Sequence, residues 1–275
     1  MHDDVRAYYD SFGEGEWERL TCPDDGAVEF AVTQRAIEDF LPPAARILDI
    51  GGGPGRYSLW LAERGHTVTL ADLSPALIAL AREKVAASPG ATRIEEIVVA
   101  DVCDLARWAT DSFGAVLALG PFYHLPNPDD RERAVDELAR VLAPGGVAFV
   151  ALMPRYAFLR RTLAIPDERH HLSSPSFVAR LLDDGVFEND VPGRFTGGYG
   201  VRPEEIAPFF ARHGFIALAL LATESIVPDL QEQLAALAVD NPEARRTMLH
   251  TLMRVADDPS ILGLANHLLY VGQKV

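Results

Sequence analysis

Hydrophobic residues alternate between two rhythms along the first half of the chain. Short apolar runs at Arg46 to Ile50, Thr67 to Ala71, Ile94 to Ala100, Phe113 to Leu119 and Val147 to Met153 read as strands. Between them the spacing becomes helical: from about Gly55 to Arg64, then through Leu77, Ile78, Ala81 and Val85, and again through Ala134, Val135, Leu138, Val141 and Leu142. Ser74-Pro75 supplies an N-cap with Pro at the first helical position, and Pro-Gly-Gly at 144 to 146 turns the chain back. Strands alternating with helices over short connections predict an α/β fold, a mostly parallel sheet covered by helices on both faces.

Past Met153 the rhythm changes. Arg155 to about Gly200 reads as helical and irregular, without a clear long strand, and is expected as an insertion over the carboxyl edge of the sheet. Phe215 to Ala222 and His267 to Gly272 are expected to close the sheet, the last strand antiparallel. Two helices separate them, with Leu230, Leu234 and Leu237, then Ala244, Met248, Leu252 and Val255, at helical spacing. The organisation expected is one domain over 1–275. Its core covers about 27–153 plus 203–222 and 263–275, its helical cap about 155–200 and 223–262, and an N-terminal lid about 1–20.

The first strand runs into Ile47-Leu48-Asp49-Ile50-Gly51-Gly52-Gly53-Pro54-Gly55. Glycines at 51, 53 and 55 allow a sharp turn and an approach to a ligand that a Cβ would forbid. A nicotinamide-dinucleotide fingerprint needs a further Gly after two intervening residues, but Arg56 and Ser58 stand at the two places it would occupy. The stretch instead resembles the acidic-x-Gly-x-Gly-x-Gly signature of class I S-adenosylmethionine-dependent methyltransferases. Over roughly residues 27 to 153 the chain is similar to the small-molecule branch that includes ubiquinone and menaquinone biosynthesis methyltransferases.

That resemblance implies a Rossmann-like fold, S-adenosylmethionine as cofactor and a set of contacts. Asp49 would orient the amino end of the methionine moiety; Asp72, with Leu73 beside it, would accept the ribose hydroxyls; Asp101 and the Val102 amide would meet the adenine, and Gly120 would lie beside the methionine. Each carboxylate has a plainer reading, Asp49 and Asp72 as turn residues and Asp101 as a helix cap. A non-catalytic sensor would need the same glycines and Asp72.

Gly120-Pro121-Phe122-Tyr123-His124-Leu125 leaves the fourth strand at the binding edge of such a sheet. His124 is the candidate general base or orienting hydrogen bond, or else a structural histidine, and Tyr123 the candidate wall. The segment from Arg155 to His171 carries four Arg. Arg155, Arg169, His170 and His171 are candidate contacts to a carboxylate or phosphate on the acceptor, or else a solvated charged face. Tyr9, among Tyr8, Phe12 and Trp17 of the lid, and Tyr199 in Thr196-Gly197-Gly198-Tyr199-Gly200 are further acceptor-side candidates.

Composition narrows the partners. A formal charge of −15 opposes a polyanion, so no nucleic acid is expected, and a small-molecule acceptor, anionic if the arginines read it, is. Cys22 and Cys103 lack the paired spacing of a zinc site, and adjacent His170 and His171 lack the spacing of a helical metal pair, so no metal is expected. The start MHDDVRAYYD has no signal-peptide pattern and no run of eighteen apolar residues occurs, so a cytoplasmic protein without a membrane span is expected.

Overall fold

The computed structural model describes residues 2–20, 26–195, 197–228 and 230–275. Cys22 and Thr196, both considered above, lie outside the described residues. The chain begins with helices α1 (His2–Phe12), α2 (Glu14–Arg19) and α3 (Ala27–Phe40) and then enters the sheet at β1 (Arg46–Ile50). There follow α4 (Arg56–Glu63), β2 (Thr67–Asp72), α5 (Pro75–Ala86), β3 (Ile94–Val99), β4 (Phe113–Ala118), α6 (Pro128–Val141) and β5 (Leu142–Pro154). These five strands lie parallel in the order β3-β2-β1-β4-β5.

Alternation along each strand sorts the core into two layers. Ile47, Ala115, Leu117, Val147 and Phe149 face α3 and α4, where Ile37, Trp60 and Leu61 cover them. Their neighbours Leu48, Val116, Ala118, Ala148 and Val150 point the other way, toward α6 and its Val135 and Leu138. A sheet buried on both faces requires near-continuous apolar strands, and Ile47-Leu48 and Phe149-Val150 supply them.

The second half completes the sheet. After α9 (Pro203–Ala211) come β8 (Phe215–Ala222), α10 (Gln231–Asp240), α11 (Pro242–Val255), α12 (Pro259–Leu262) and β9 (Leu268–Lys274). β9 lies antiparallel between β5 and β8, as expected of the last strand. α10 and α11 do not sit with the insertion. Their Leu234 and Leu252 pack with Val227 and Ala256 against Val28 and Val32 of α3.

The insertion departs from its reading as helix and irregular chain. It contains α7 (Arg155–Ala164), α8 (Pro175–Ala179) and a hairpin of β6 (Val186–Glu188) and β7 (Gly197–Val201). β5 pairs with β9 up to Leu152 and then, at Met153 and Pro154, with Gly200 and Val201 of β7. Glycine-rich β7 escaped notice because Gly is a poor strand former. Close packing demands it: a Cβ on Gly200 would stand 2.7 Å from the Arg155 Cα. Phe158, Leu181 and Phe187 give the insertion a small core of its own.

Arg155 locks this unit. Its buried guanidinium donates to the carbonyls of Gly200 (3.1 Å), Leu182 (2.8 Å) and Asp183 (3.2 Å) and meets Glu205 at 3.4 Å. Arg155→Met removes these donors, leaving Leu182 its second one from Arg202 Nη2 at 3.2 Å, and at roughly 1–3 kcal/mol for each unsatisfied buried group we expect a loss of about 3 kcal/mol. Urea unfolding should show it as a lower midpoint.

Candidate functional site

In a parallel sheet the strand ends and the turns that follow them converge on one edge. Here Asp49 near the end of β1, the turn at 51–54, Asp72 at the end of β2 with Leu73 beyond it, Asp101 and Val102 after β3, and Gly120, Pro121, Tyr123, His124 and Leu125 after β4 line one cavity of about 1020 Å³, its mouth included. The turn is tight: Gly51 has φ +75°, and a Cβ there would stand 2.6 Å from the Pro121 ring. Asp72 is held by two amides, accepting from Gly53 N–H and Ser74 N–H at 2.8 Å each. Asp101 accepts from the Cys103 N–H at 2.9 Å, an Asx turn rather than the helix cap that was its rival.

Burial raises two of these acids. Asp49, almost fully enclosed and accepting from Ser58 Oγ at 2.6 Å, is pushed up to about 7 by burial, with the charge of Asp72 adding to it. Asp72 is pushed up to about 6, again chiefly by burial, against the pull of its two amides. The cavity lining includes five carboxylates, Glu16, Glu29, Asp49, Asp72 and Asp101, against the guanidinium groups of Arg19 and Arg56. Such a cleft favours a ligand carrying positive charge.

Val5 and Tyr9 of α1 and Glu16 and Arg19 of α2 belong to the lining of this cavity. Tyr9 Oη lies 2.8 Å from His124 Nε2, and Asp10 accepts from Ser74 Oγ at 2.5 Å at the N-terminus of α5. Lys84 pairs with Glu14 at 2.8 Å, and the Arg56 guanidinium stands 3.8 Å over the Trp17 ring while its Nε donates to the Trp17 carbonyl.

His124 is enclosed by the rings of Phe195 (4.6 Å), Tyr123 (4.9 Å) and Tyr9 (5.3 Å). Burial lowers its pKa to about 3, so at neutral pH it is uncharged and a weak base. Its contact with Tyr9 ties α1 to the wall of the cavity.

A second cavity opens beside the first and shares Tyr9, Glu16, Arg19 and Tyr123 with it. Tyr8, Phe12, Phe158 and Phe195 give it aromatic walls, and Arg160, Arg161 and His267 give it polar ones. Arg155, Arg169, His170, His171 and Tyr199 line neither cavity. Arg155 is the internal lock described above. Arg169 is exposed and donates to the carbonyls of Leu163 and Ala164 near the end of α7. His170 and His171 lie by Asp190 and Asn189 on the outer side of the insertion, and Tyr199 stacks under the Arg131 guanidinium at 3.5 Å.

Sequence reasoning passed over Glu16, Arg19, Glu29, Arg160, Glu224 and His267. Glu16 and Glu29 flank Arg19 at 3.2 and 2.8 Å, an ion triad at the junction of the two cavities. The sequence trace of it is that Arg19 is one of only two arginines, with Arg6, among nine Asp or Glu in the first thirty residues.

Comparison with known proteins agrees with this geometry. The methyltransferase domain family matches residues 48–150. The ubiquinone biosynthesis O-methyltransferase of Xanthomonas oryzae pv. oryzae is 37% identical over 142 residues, 52% of this chain and 54% of that protein. Methyltransferase GfsG of Streptomyces halstedii is 37% identical over 109 residues, 38% of this chain and 37% of that one. The chain thus spans about half or less of the length of these curated relatives. The solved 1,6-didemethyltoxoflavin-N1-methyltransferase of Burkholderia thailandensis, with S-adenosylhomocysteine bound, superposes with a TM-score of 0.58 at 17% identity, covering 98% of this chain and 87% of that one. Residues 48–150 are thus similar to a methyltransferase domain, and the described residues share the Rossmann-like fold of the solved methyltransferase.

If Tyr9 and His124 latch the lid, Tyr9→Phe and His124→Ala should each hasten tryptic cleavage at Arg6 about fivefold, the equivalent of one hydrogen bond of about 1 kcal/mol. The double variant should be little faster than either single one, which timed digestion will read.

Proposed function

We propose that this protein transfers the methyl group of S-adenosylmethionine to a small anionic molecule in the cytoplasm. The observation that carries the reading is the acid-rich, glycine-turned cavity at the carboxyl edge of the sheet, whose excess of carboxylates suits a ligand bearing an ammonium and a sulfonium. When bound, that cofactor supplies an electrophilic methyl group. In this reading Asp49 receives its amino end, Asp72 and Leu73 the ribose, Asp101 and Val102 the adenine, and Gly120 the methionine backbone.

The second cavity favours transfer over sensing, because a sensor needs no space beyond the cofactor, whereas an enzyme needs room for an acceptor next to it. Tyr9 and Tyr123, common to both cavities, are the walls against which the acceptor would be held. Arg160 supports an anionic acceptor. Its guanidinium donates to the Leu264 carbonyl and Asn266 Oδ1, and no carboxylate pairs with it among the described residues. It takes the part that Arg155 and Arg169 were expected to play. The charge of −15 speaks against nucleic acid, and no helix among the described residues is long and apolar enough to cross a membrane.

Calorimetry with S-adenosylhomocysteine tests the reading: binding with a raised melting temperature is expected, and no binding at millimolar ligand would overturn it. A pH series adds detail. Below about 7 Asp49 takes up a proton and loses its attraction for a cation, so affinity for S-adenosylmethionine should rise as pH climbs from 5.5 to 8. In Asp49→Asn the affinity should be about tenfold weaker at pH 8 and much less dependent on pH, since a charged hydrogen-bonded contact contributes roughly 1.5–3 kcal/mol.

A further inference from the structure

His267 immediately precedes β9. Because β9 runs antiparallel to its neighbour β5, its beginning rather than its end reaches the carboxyl edge of the parallel strands, where the two cavities meet. The residue is fixed on every side. Its N–H donates to Glu224 Oε2 at 2.9 Å, and its carbonyl accepts from the Thr223 N–H at 3.1 Å and from Thr223 Oγ1 at 3.2 Å. Its ring Nδ1 lies 2.6 Å from Glu224 Oε1, and the same carboxylate also accepts from the Asn266 N–H at 3.2 Å.

Glu224 is buried, and its carboxyl is held below the usual carboxylate range: burial pushes it up, but the opposed pull of the His267 ring and its hydrogen bonds wins. An ionised Glu224 makes Nδ1 the protonated ring nitrogen, so the neutral imidazole carries its lone pair on Nε2. Nε2 makes no hydrogen bond among the described residues, while the ring lines the second cavity beside Tyr123, whose ring centre is 5.8 Å away.

We infer that His267, oriented by Glu224, is the general base that takes the proton from a phenolic or enolic hydroxyl of an aromatic acceptor lying in the second cavity. This rests on the methyl-transfer reading above. The aromatic walls of Tyr8, Phe12, Phe158 and Phe195 suit a flat ring, and Arg160 an acidic substituent on it. In the reaction the hydroxyl proton passes to Nε2, and the oxygen's electron pair forms the bond to the methyl carbon. The pair of the broken carbon–sulfur bond stays on sulfur, and the imidazolium remains paired with Glu224 until it releases its proton to water. Buried His124, with Nε2 already engaged by Tyr9, is the weaker base of the two.

The groups around the ring set its response to pH. Burial lowers the His267 pKa, but Glu224 from the turn after β8 and Glu29 from α3, its carboxylate 4.0 Å from Nδ1, raise it more; Arg19 from α2 acts against them. Glu16 of α2 and the Tyr123 ring complete the surroundings. The net shift is upward, so the base form is present only above a pH higher than that of a free histidine, and turnover should rise with pH through that point.

The test uses the full chain saturated with S-adenosylhomocysteine for NMR of the histidine rings, and S-adenosylmethionine with a panel of dihydroxybenzenes, with and without a ring carboxylate, for turnover. The His267 resonance, assigned by its loss in His267→Gln, should titrate above pH 6.5, and Glu224→Gln should lower its midpoint by about one pH unit or more. Both variants should bind S-adenosylhomocysteine within about threefold of wild type, which shows them folded. His267→Gln should cut kcat about 100-fold on the panel compound turned over fastest, and Glu224→Gln should move the acidic limb of the rate profile to lower pH. A His267 ring that does not titrate between pH 5 and 9, undiminished turnover in His267→Gln, or transfer to none of the phenols by a wild type that binds S-adenosylhomocysteine would overturn the inference. Failure of the wild type to bind S-adenosylhomocysteine would instead overturn the methyl-transfer reading.

Discussion

Carboxylates crowded into a partly dry cleft repel one another and resist ionisation, and that tension organises this molecule. Asp49 and Asp72 end or nearly end neighbouring strands of the sheet, so the backbone ladder between β1 and β2 holds them close whatever their charge. Ser58 and the amides of Gly53 and Ser74 soften the repulsion without cancelling it, and both acids keep raised pKa values. The rest of the neighbourhood answers with cations on long side chains. Arg19 sits between Glu16 and Glu29, and Arg56 reaches across to the lid through Trp17.

The lid follows from the same arrangement. α1 and α2 are short and acidic, with few apolar residues to bury, and depend on particular polar contacts with the body. Asp10 at the N-terminus of α5 sits where a helix dipole favours a negative charge, and Tyr9 Oη stands 2.8 Å from His124 Nε2. A cover held by a few exposed ion pairs and two half-buried hydrogen bonds would open at small cost in free energy, as traffic of a ligand through it would require.

Legibility of the fold in the sequence tracks how local the signal is. β1, β4, α5 and β8 were readable because their apolar runs, their caps and their lengths agree with one another. β7 was not, since its Gly-Gly-Tyr-Gly pattern is a response to the approach of α7, a contact no neighbouring residue reveals. The cofactor-side candidates Asp49, Asp72, Asp101 and Gly120 all stand at or just beyond strand ends, which a pattern of alternating elements locates, and the structure brings them to one cavity. The acceptor-side candidates were chosen by local charge. Arg155, Arg169, His170 and His171 look available in the chain, but backbone carbonyls and surface partners occupy them. Glu224 and His267 are 43 positions apart, and only the antiparallel pairing of β8 with β9 makes them neighbours.

The switch of partners along β5 has a further implication. One strand serves two neighbours in succession, β9 and then β7, so the insertion joins the tip of the sheet by two backbone residue pairs, with side chains such as Phe195 on His124, Tyr199 under Arg131 and Arg160 at Asn266 completing the join. It has a small core of its own in Phe158, Leu181 and Phe187. Such a join allows the two halves to diverge at different rates. The walls formed by Phe158, Phe195, Arg160 and Arg161 can be exchanged to suit another compound while the glycine turn and its acids stay as they are. Chemical repertoire can thereby be remodelled on one side of the molecule without disturbing the chemistry inherited on the other.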